Sequence, residues 1–208
     1  DIAGACAAWR TAASTLGATR KKAAAGLGKA TSALLGELGM GGGRFEVAIE
    51  PMGDERPDPQ GAERVEFLVA ANPGQPPRPL RKVASGGELS RISLAIEVAA
   101  LGLDAVPTMV FDEVDSGIGG AVADIVGRKL RALGASRQVL CVTHLPQVAA
   151  QGHAHYRVSK SAPGDVTRST AERLDPKARE EELARMLGGV EVGREARAAA
   201  RRLLADAN

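Results

Sequence analysis

Apolar and polar positions change their rhythm along this chain. Residues 1–39 are rich in Ala, contain no Pro and follow only a loose apolar spacing. That pattern predicts one helix or two, the end of a coiled coil, stopped by Gly39 and the Gly41-Gly42-Gly43 run. Residues 44–50 (RFEVAIE) alternate apolar and polar side chains as a half-buried strand does. Residues 51–61 are rich in turn formers, and residues 64–71 predict a second strand, the antiparallel partner of the first. Four Pro between positions 73 and 79 exclude a central strand or a helix there. Helix and strand then alternate: a helix over 89–103, an apolar strand over 108–111, a helix over 120–133, an apolar strand over 138–143 and a short helix over 146–150. Continuous apolar strands in a βαβ rhythm predict an α/β fold with a mostly parallel sheet flanked by helices. Strands at 155–159 and 166–174 pair around Pro163-Gly164, and two charged helices, 177–187 and 194–207, close the chain. No internal repeat occurs.

A length of 208 residues allows one large domain or two small ones. The rhythm divides them into a helical segment, 1–39, and an α/β body, 40–208. Only Trp9, Phe45, Phe67, Phe111 and Tyr156 are aromatic, so the core is aliphatic and base-stacking platforms are not expected. A net charge of +2 gives no strong pull on nucleic acid from overall charge. Arg10, Arg20, Lys21, Lys22 and Lys29 stand against Asp1 and Glu37 in the first forty residues, either as a solvated helix face or as a DNA-contacting patch. Cys6 and Cys141 make neither a disulfide framework nor a metal-ligand pair, which fits the cytoplasm. No run of about 18 apolar residues predicts a membrane helix. The first residues lack a signal peptide and an initiator Met, and read as a point inside a longer protein.

Three short motifs carry chemistry. Ser85-Gly86-Gly87-Glu88 has the form of a capping box, with Ser at the N-cap and Glu three residues later. Its paired glycines would also expose main-chain N–H groups to an anion at a helix start, and the two readings are compatible. Met109 to Phe111 runs into Asp112, Glu113 and, two residues on, Asp115. Carboxylates at the carboxyl end of a strand are either a solvated strand end or a site that holds Mg²⁺ and orients water. Asp115 to Gly120 (DSGIGG) predicts a flexible turn beside them, and His144 follows the 138–143 strand directly, where it could donate to a phosphate oxygen. Gly26 to Thr31 (GLGKAT) imitates a P-loop, but Ala23 and Ala30 occupy the required Gly and Ser/Thr positions and no strand precedes it. Lys29 is therefore expected to face solvent.

In the order SGGE, FDEVD, THLPQ, the chain resembles the C-terminal lobe of an ABC-type ATPase head. More narrowly it resembles the RecN family of bacterial DNA repair proteins, relatives of the SMC proteins. The resemblance rests on residues 83–91 (VASGGELSR), 111–120 (FDEVDSGIGG) and 141–160 (CVTHLPQVAAQGHAHYRVSK), and covers roughly residues 35–205. It implies that Ser85, Gly86, Gly87 and Glu88 are a signature that contacts ATP held by a second head. Asp112 would be the Walker B residue for Mg²⁺, Glu113 the water-activating carboxylate, His144 the switch histidine, and Asp115 part of a nucleotide-contacting D-loop region. Gly119 stands where ABC proteins usually have Asp, a departure in that D-loop. The resemblance further implies ATP and Mg²⁺ as cofactors, a homodimeric head partner, an N-terminal lobe carrying Walker A, and DNA as a partner of the complete protein. It implies double-strand break repair and recombination, in the cytoplasm at the nucleoid, and no membrane. The alternatives are the head of another SMC-type chromosome protein, a transporter ATPase, or a non-catalytic ATP-gated tethering module.

Overall fold

A computed structural model describes residues 1–53, 57–83, 85–100, 106–161, 168–189 and 191–207. They form two compact units, residues 1–103 and 104–208. The division expected at 39/40 marks the end of the first helix, whereas the compact units part at 103/104.

In the first unit, α1 (Ile2–Glu37) is one continuous helix that buries only Ala13, Gly17, Thr31 and Leu35. An Ala-rich helix of 36 residues propagates without a continuous buried stripe, because length and propensity offset the cost of nucleation. Asp1 caps it, accepting from the N–H of Ala3. Its C-terminal half is tied to the strands. Ser32 Oγ accepts from the Phe45 N–H at 2.9 Å and lies 2.7 Å from the Gly28 carbonyl oxygen, to which it donates. The imitation P-loop at 26–31 lies inside this helix, and Lys29 is exposed, as are Lys21 and Lys22. Arg20 is spent on Glu63 at 3.5 Å, which removes one cation from the basic group of α1.

β1 (Arg44–Pro51) and β2 (Glu63–Ala70) pair antiparallel as expected, from Arg44 opposite Ala70 to Pro51 opposite Glu63. The Pro-rich stretch adds β3 (Arg78–Pro79), a two-residue strand on the edge of the sheet, where Pro costs no central ladder bond. Phe45 and Phe67 meet edge to face, with ring centroids 5.3 Å apart. A turn of 3₁₀ helix over Leu80–Lys82 precedes α2 (Gly86–Ala99), which buries Ile92, Leu94 and Ala95. The C-terminal end of the expected 89–103 helix lies partly outside the described residues.

In the second unit, β4 (Thr108–Phe111) and β5 (Gln138–Cys141) lie parallel, joined through α3 (Gly120–Gly134). The α/β class stands. Among the described residues, however, the parallel part is this single pair, and the other pairings are antiparallel. The apolar runs of β4 and β5 are those of strands with two faces to bury. Only one face is covered: Phe111 is buried, while Val110 is 68% and Leu140 48% exposed. α4 (Pro146–Gln151) follows β5, and β6 (Tyr156–Ser161) pairs antiparallel with β7 (Arg168–Arg173). The expected turn at Pro163-Gly164 lies outside the described residues. α5 (Pro176–Gly188) and α6 (Arg194–Asp206) pack on α4 through Ala149, Ala150, Leu183, Ala184 and Ala200.

No helix among the described residues is long and apolar enough to cross a membrane, and Cys6 and Cys141 are free thiols.

Arg179 of α5 clamps the end of α4, donating to the carbonyls of Ala149, Ala150 and Gly152 at 3.3, 2.7 and 2.6 Å. Carbonyls at a helix end lack the full set of intrahelical partners, and here that of Ala149 also accepts from the main-chain N–H of Gly152 at 3.3 Å. Beside this clamp, His155 Nδ1 is buried with no hydrogen-bond partner among the described residues. Burial, and then the charge of Arg179, push the His155 pKa down, against a smaller opposing pull from Glu182. As pH falls, the unfolded chain therefore takes up this proton first. The contribution of His155 to stability is full above its ordinary value of 6.5 and is lost as pH falls from there through the folded value. The thermal midpoint is expected to drop between pH 7.5 and pH 5.5, and His155→Asn should reduce that drop. An unchanged pH dependence in the variant would contradict this account.

Candidate functional site

The chemistry of the second unit gathers where β4 and β5 end. Their registers align Phe111 with Cys141, and the Val142 N–H still donates to the Phe111 carbonyl at 2.9 Å. The chain after β4 and the chain after β5 therefore leave the pair side by side. Beyond Val142 the expected strand stops, because the next donors turn to Asp115.

Asp112 and Glu113 lead this edge and are both exposed. Glu113 has φ 57°, and it is the only non-glycine residue with positive φ among those described. A non-glycine residue held there costs on the order of 1–3 kcal/mol, which persists only when its surroundings determine it. The turn that imposes it is closed by the Ser116 N–H donating to the Glu113 carbonyl at 3.0 Å. Gly117 and Gly120, with φ 73° and 53°, complete the turn into α3.

Asp115 lies at the centre, 1% exposed. Its Oδ2 accepts a short hydrogen bond from the Thr143 hydroxyl, and further bonds from the main-chain N–H groups of His144 at 3.0 Å and Leu145 at 3.3 Å. His144 Nδ1 lies 3.3 Å from the same oxygen, while the side chain as a whole is 70% exposed. Asp115 and His144, two residues expected in the site, thus touch directly. Asp112 and Glu113 precede Asp115 on the same turn. Thr143 and the Leu145 N–H were not foreseen as participants. A small hydroxyl residue at a strand end, next to the candidate histidine, was the available signal.

Ser85 to Glu88 belongs to the first unit. The Ser85 Oγ accepts from the Glu88 N–H at 3.3 Å, so the capping geometry is realised at the start of α2. Ser85 and Gly86 are exposed and Gly87 is buried, which leaves the first turn of the helix open to solvent at Ser85 and Gly86.

Negative charge dominates the edge of the second unit. The Cys141 thiol is pushed up to about 12, first by burial and then by the charges of Asp115 and Asp112. A polyphosphate would be repelled from such an edge unless a divalent cation lay between them. Asp112 and Glu113 offer the hard oxygen donors that Mg²⁺ takes, with phosphate and water completing its shell. Among the described residues no group of three or more His, Cys, Asp or Glu could cage a metal. The two carboxylates could supply only part of such an ion's shell, the rest coming from water or from groups outside this edge.

No family model matches the chain. It is 65% identical over 203 residues to the DNA repair protein RecN of Xylella fastidiosa, covering 98% of this chain and 36% of that protein. It is 45% identical over 193 residues to the DNA repair protein RecN of Vibrio cholerae, covering 93% and 35%. The protein of that name from Streptomyces coelicolor is 47% identical over 195 residues, covering 89% and 34%. The chain thus spans about a third of the length of these curated relatives. Among solved structures, the Smc head domain with a coiled coil and joint from Pyrococcus yayanosii superposes with a TM-score of 0.53 at 21% identity, over 76% of this chain and 28% of that one. A structure from work on ATP-driven dimerization and DNA-stimulated activation of SMC ATPases gives a TM-score of 0.50 at 17% identity, over 84% and 99%. At these identities the structures share the fold, and the close relatives carry the lineage.

Two outcomes test the site geometry. The folded chain at pH 8 should leave Cys141 unalkylated by iodoacetamide, with reaction only after denaturation, read by mass spectrometry. Glu113→Asn should melt within a degree or two of the native chain, since Asn tolerates positive φ, whereas Glu113→Val should lose about 1–3 kcal/mol. Equal stability of the two variants would contradict the strained turn.

Proposed function

The chain belongs to the family of the DNA repair protein RecN, and on that premise we propose that it is the C-terminal lobe of an ATPase head acting in DNA double-strand break repair and recombination. The observation that carries this reading is the carboxylate pair Asp112-Glu113, beside a His144 loop pinned by Asp115, at the carboxyl edge of a parallel strand pair. The exposed apolar side chains Val110, Leu140 and Val142 support a composite site, since they leave a sheet face for another layer to cover.

In this reading Mg²⁺, when bound with ATP, neutralises charge on the phosphates, and Asp112 is the residue of this chain that holds it. Glu113 orients the attacking water and takes its proton, and it stands exposed on the strained turn that follows the strand end. His144 presents its outer nitrogen to a phosphate oxygen while Asp115 steadies its inner one. Ser85, Gly86, Gly87 and Glu88 meet the γ-phosphate of ATP held by a second head, using the open N-terminus of α2. Walker A comes from the protein's own N-terminal lobe, head closure makes a homodimer, and DNA is the partner of the complete protein at the nucleoid.

The 208 residues contain no Walker A sequence, so this polypeptide alone is expected to turn over no ATP. In the full-length protein, Glu113→Gln should preserve ATP-dependent head dimerisation, measured by analytical ultracentrifugation, and slow hydrolysis about 10²–10⁴-fold. Undiminished hydrolysis in that variant would remove Glu113 from the chemistry.

A further inference from the structure

The geometry points to Asp115 as a positioning residue that sets the tautomer and aim of His144, and not as a group that itself meets the nucleotide. The inference rests on the reading of His144 as a phosphate-facing residue, and deepens it. Asp115 is the residue that the D-loop resemblance would send toward the ligand, yet its carboxylate is buried and turned inward. One oxygen, Oδ2, gathers the Thr143 hydroxyl, the consecutive N–H groups of His144 and Leu145, and His144 Nδ1. Two successive N–H groups aimed at one oxygen form an anion nest. Its anion is the protein's own side chain, 28 to 30 residues away in sequence. The Thr143 hydroxyl has a single hydrogen, which goes to Asp115, and it accepts in turn from the Leu145 N–H at 3.0 Å.

An ionised carboxylate only accepts, so the nitrogen facing it carries hydrogen. Nδ1 therefore carries the hydrogen, and Nε2, at the exposed side of the ring, accepts in the neutral ring and donates to a phosphate oxygen only when the ring holds a second proton. Without Asp115, the ring would turn freely about a loop that had also lost its two main-chain anchors. The same carboxylate sits two residues after Glu113, so the loop bearing the water-activating group and the loop bearing the histidine are held as one body. A movement of either is felt by the other.

The test has two arms. The first uses the 208-residue chain, labelled with ¹⁵N, and reads the imidazole nitrogens by NMR. Its three histidines are assigned by His144→Gln, His153→Gln and His155→Asn. The expected result is a fixed Nδ1–H tautomer at His144, which Asp115→Asn abolishes while the remaining amide spectrum is kept. Thr143→Val, which leaves the carboxylate in place, should keep the tautomer and serves if Asp115→Asn fails to fold. Tautomer exchange at His144 in the native chain, like that of a free imidazole, would overturn the inference.

The second arm measures ATP turnover by the full-length protein. Asp115→Asn and His144→Ala are each expected to lower kcat about 10- to 100-fold, the usual cost of losing an orienting partner. The double variant should be no slower than His144→Ala alone, with KM for ATP little changed. Losses that multiply would overturn the positioning role. A fixed tautomer combined with full activity of His144→Ala would leave Asp115 positioning His144 and would overturn the assignment of His144 to the chemistry instead.

Discussion

One buried carboxylate holds the candidate site in shape. An ionised Asp115 away from water would cost several kcal/mol if it were unpartnered, and the nest formed by residues 143–145 offsets that cost with a hydroxyl and two main-chain donors. Much follows from this arrangement. The ladder of β5 ends with the Val142 N–H because those of His144 and Leu145 turn to Asp115, and α4 starts at Pro146, just past the nest. Arg179 holds the other end of α4 and anchors it to α5. The short helix after the histidine is therefore fixed at both ends, one by an anion and one by a cation. Replacing a surface ion pair such as Arg157–Glu172 would change little by comparison, since exposed pairs contribute about 0–1 kcal/mol.

Much of the fold was legible because its signals are local. Alternation over residues 44–50, the Ala-rich opening and the glycine and proline stops correspond to α1, β1, β2 and the break between them. The parallel pair was legible from continuous apolar runs, but the extent of the parallel sheet was not. An apolar run reports that two faces want covering, and it says nothing about whether the cover lies in the same chain. Val110 and Val142 show the difference, at 68% and 61% exposed.

For the candidate site, the placement of residues along the fold was legible and their geometry less so. Asp112, Glu113 and His144 stand at strand ends, as the apolar runs before them indicated. Asp115 was expected to face a ligand, and its inward turn depends on contacts across 28 to 30 residues that no local pattern encodes. The positive φ of Glu113 was equally hidden, since it comes from the turn closing around it and not from any preference of glutamate. Ser85 was readable both as a cap and as part of an anion site. The cap is realised, and the open first turn remains compatible with the second role. Clamping of α4 by Arg179 had no sequence signal at all, because a lone Arg on a charged helix is usually solvated.

In the proposed function these carboxylates contribute to a site completed by an N-terminal lobe that carries Walker A. The most direct measurement is ATP hydrolysis on mixing this chain with a separately produced N-terminal lobe of the same protein, with and without DNA. No turnover is expected from either piece, turnover on mixing, and its loss when the chain carries Glu113→Gln. Hydrolysis by the N-terminal lobe alone, unchanged by adding this chain or its Glu113→Gln variant, would contradict a shared site.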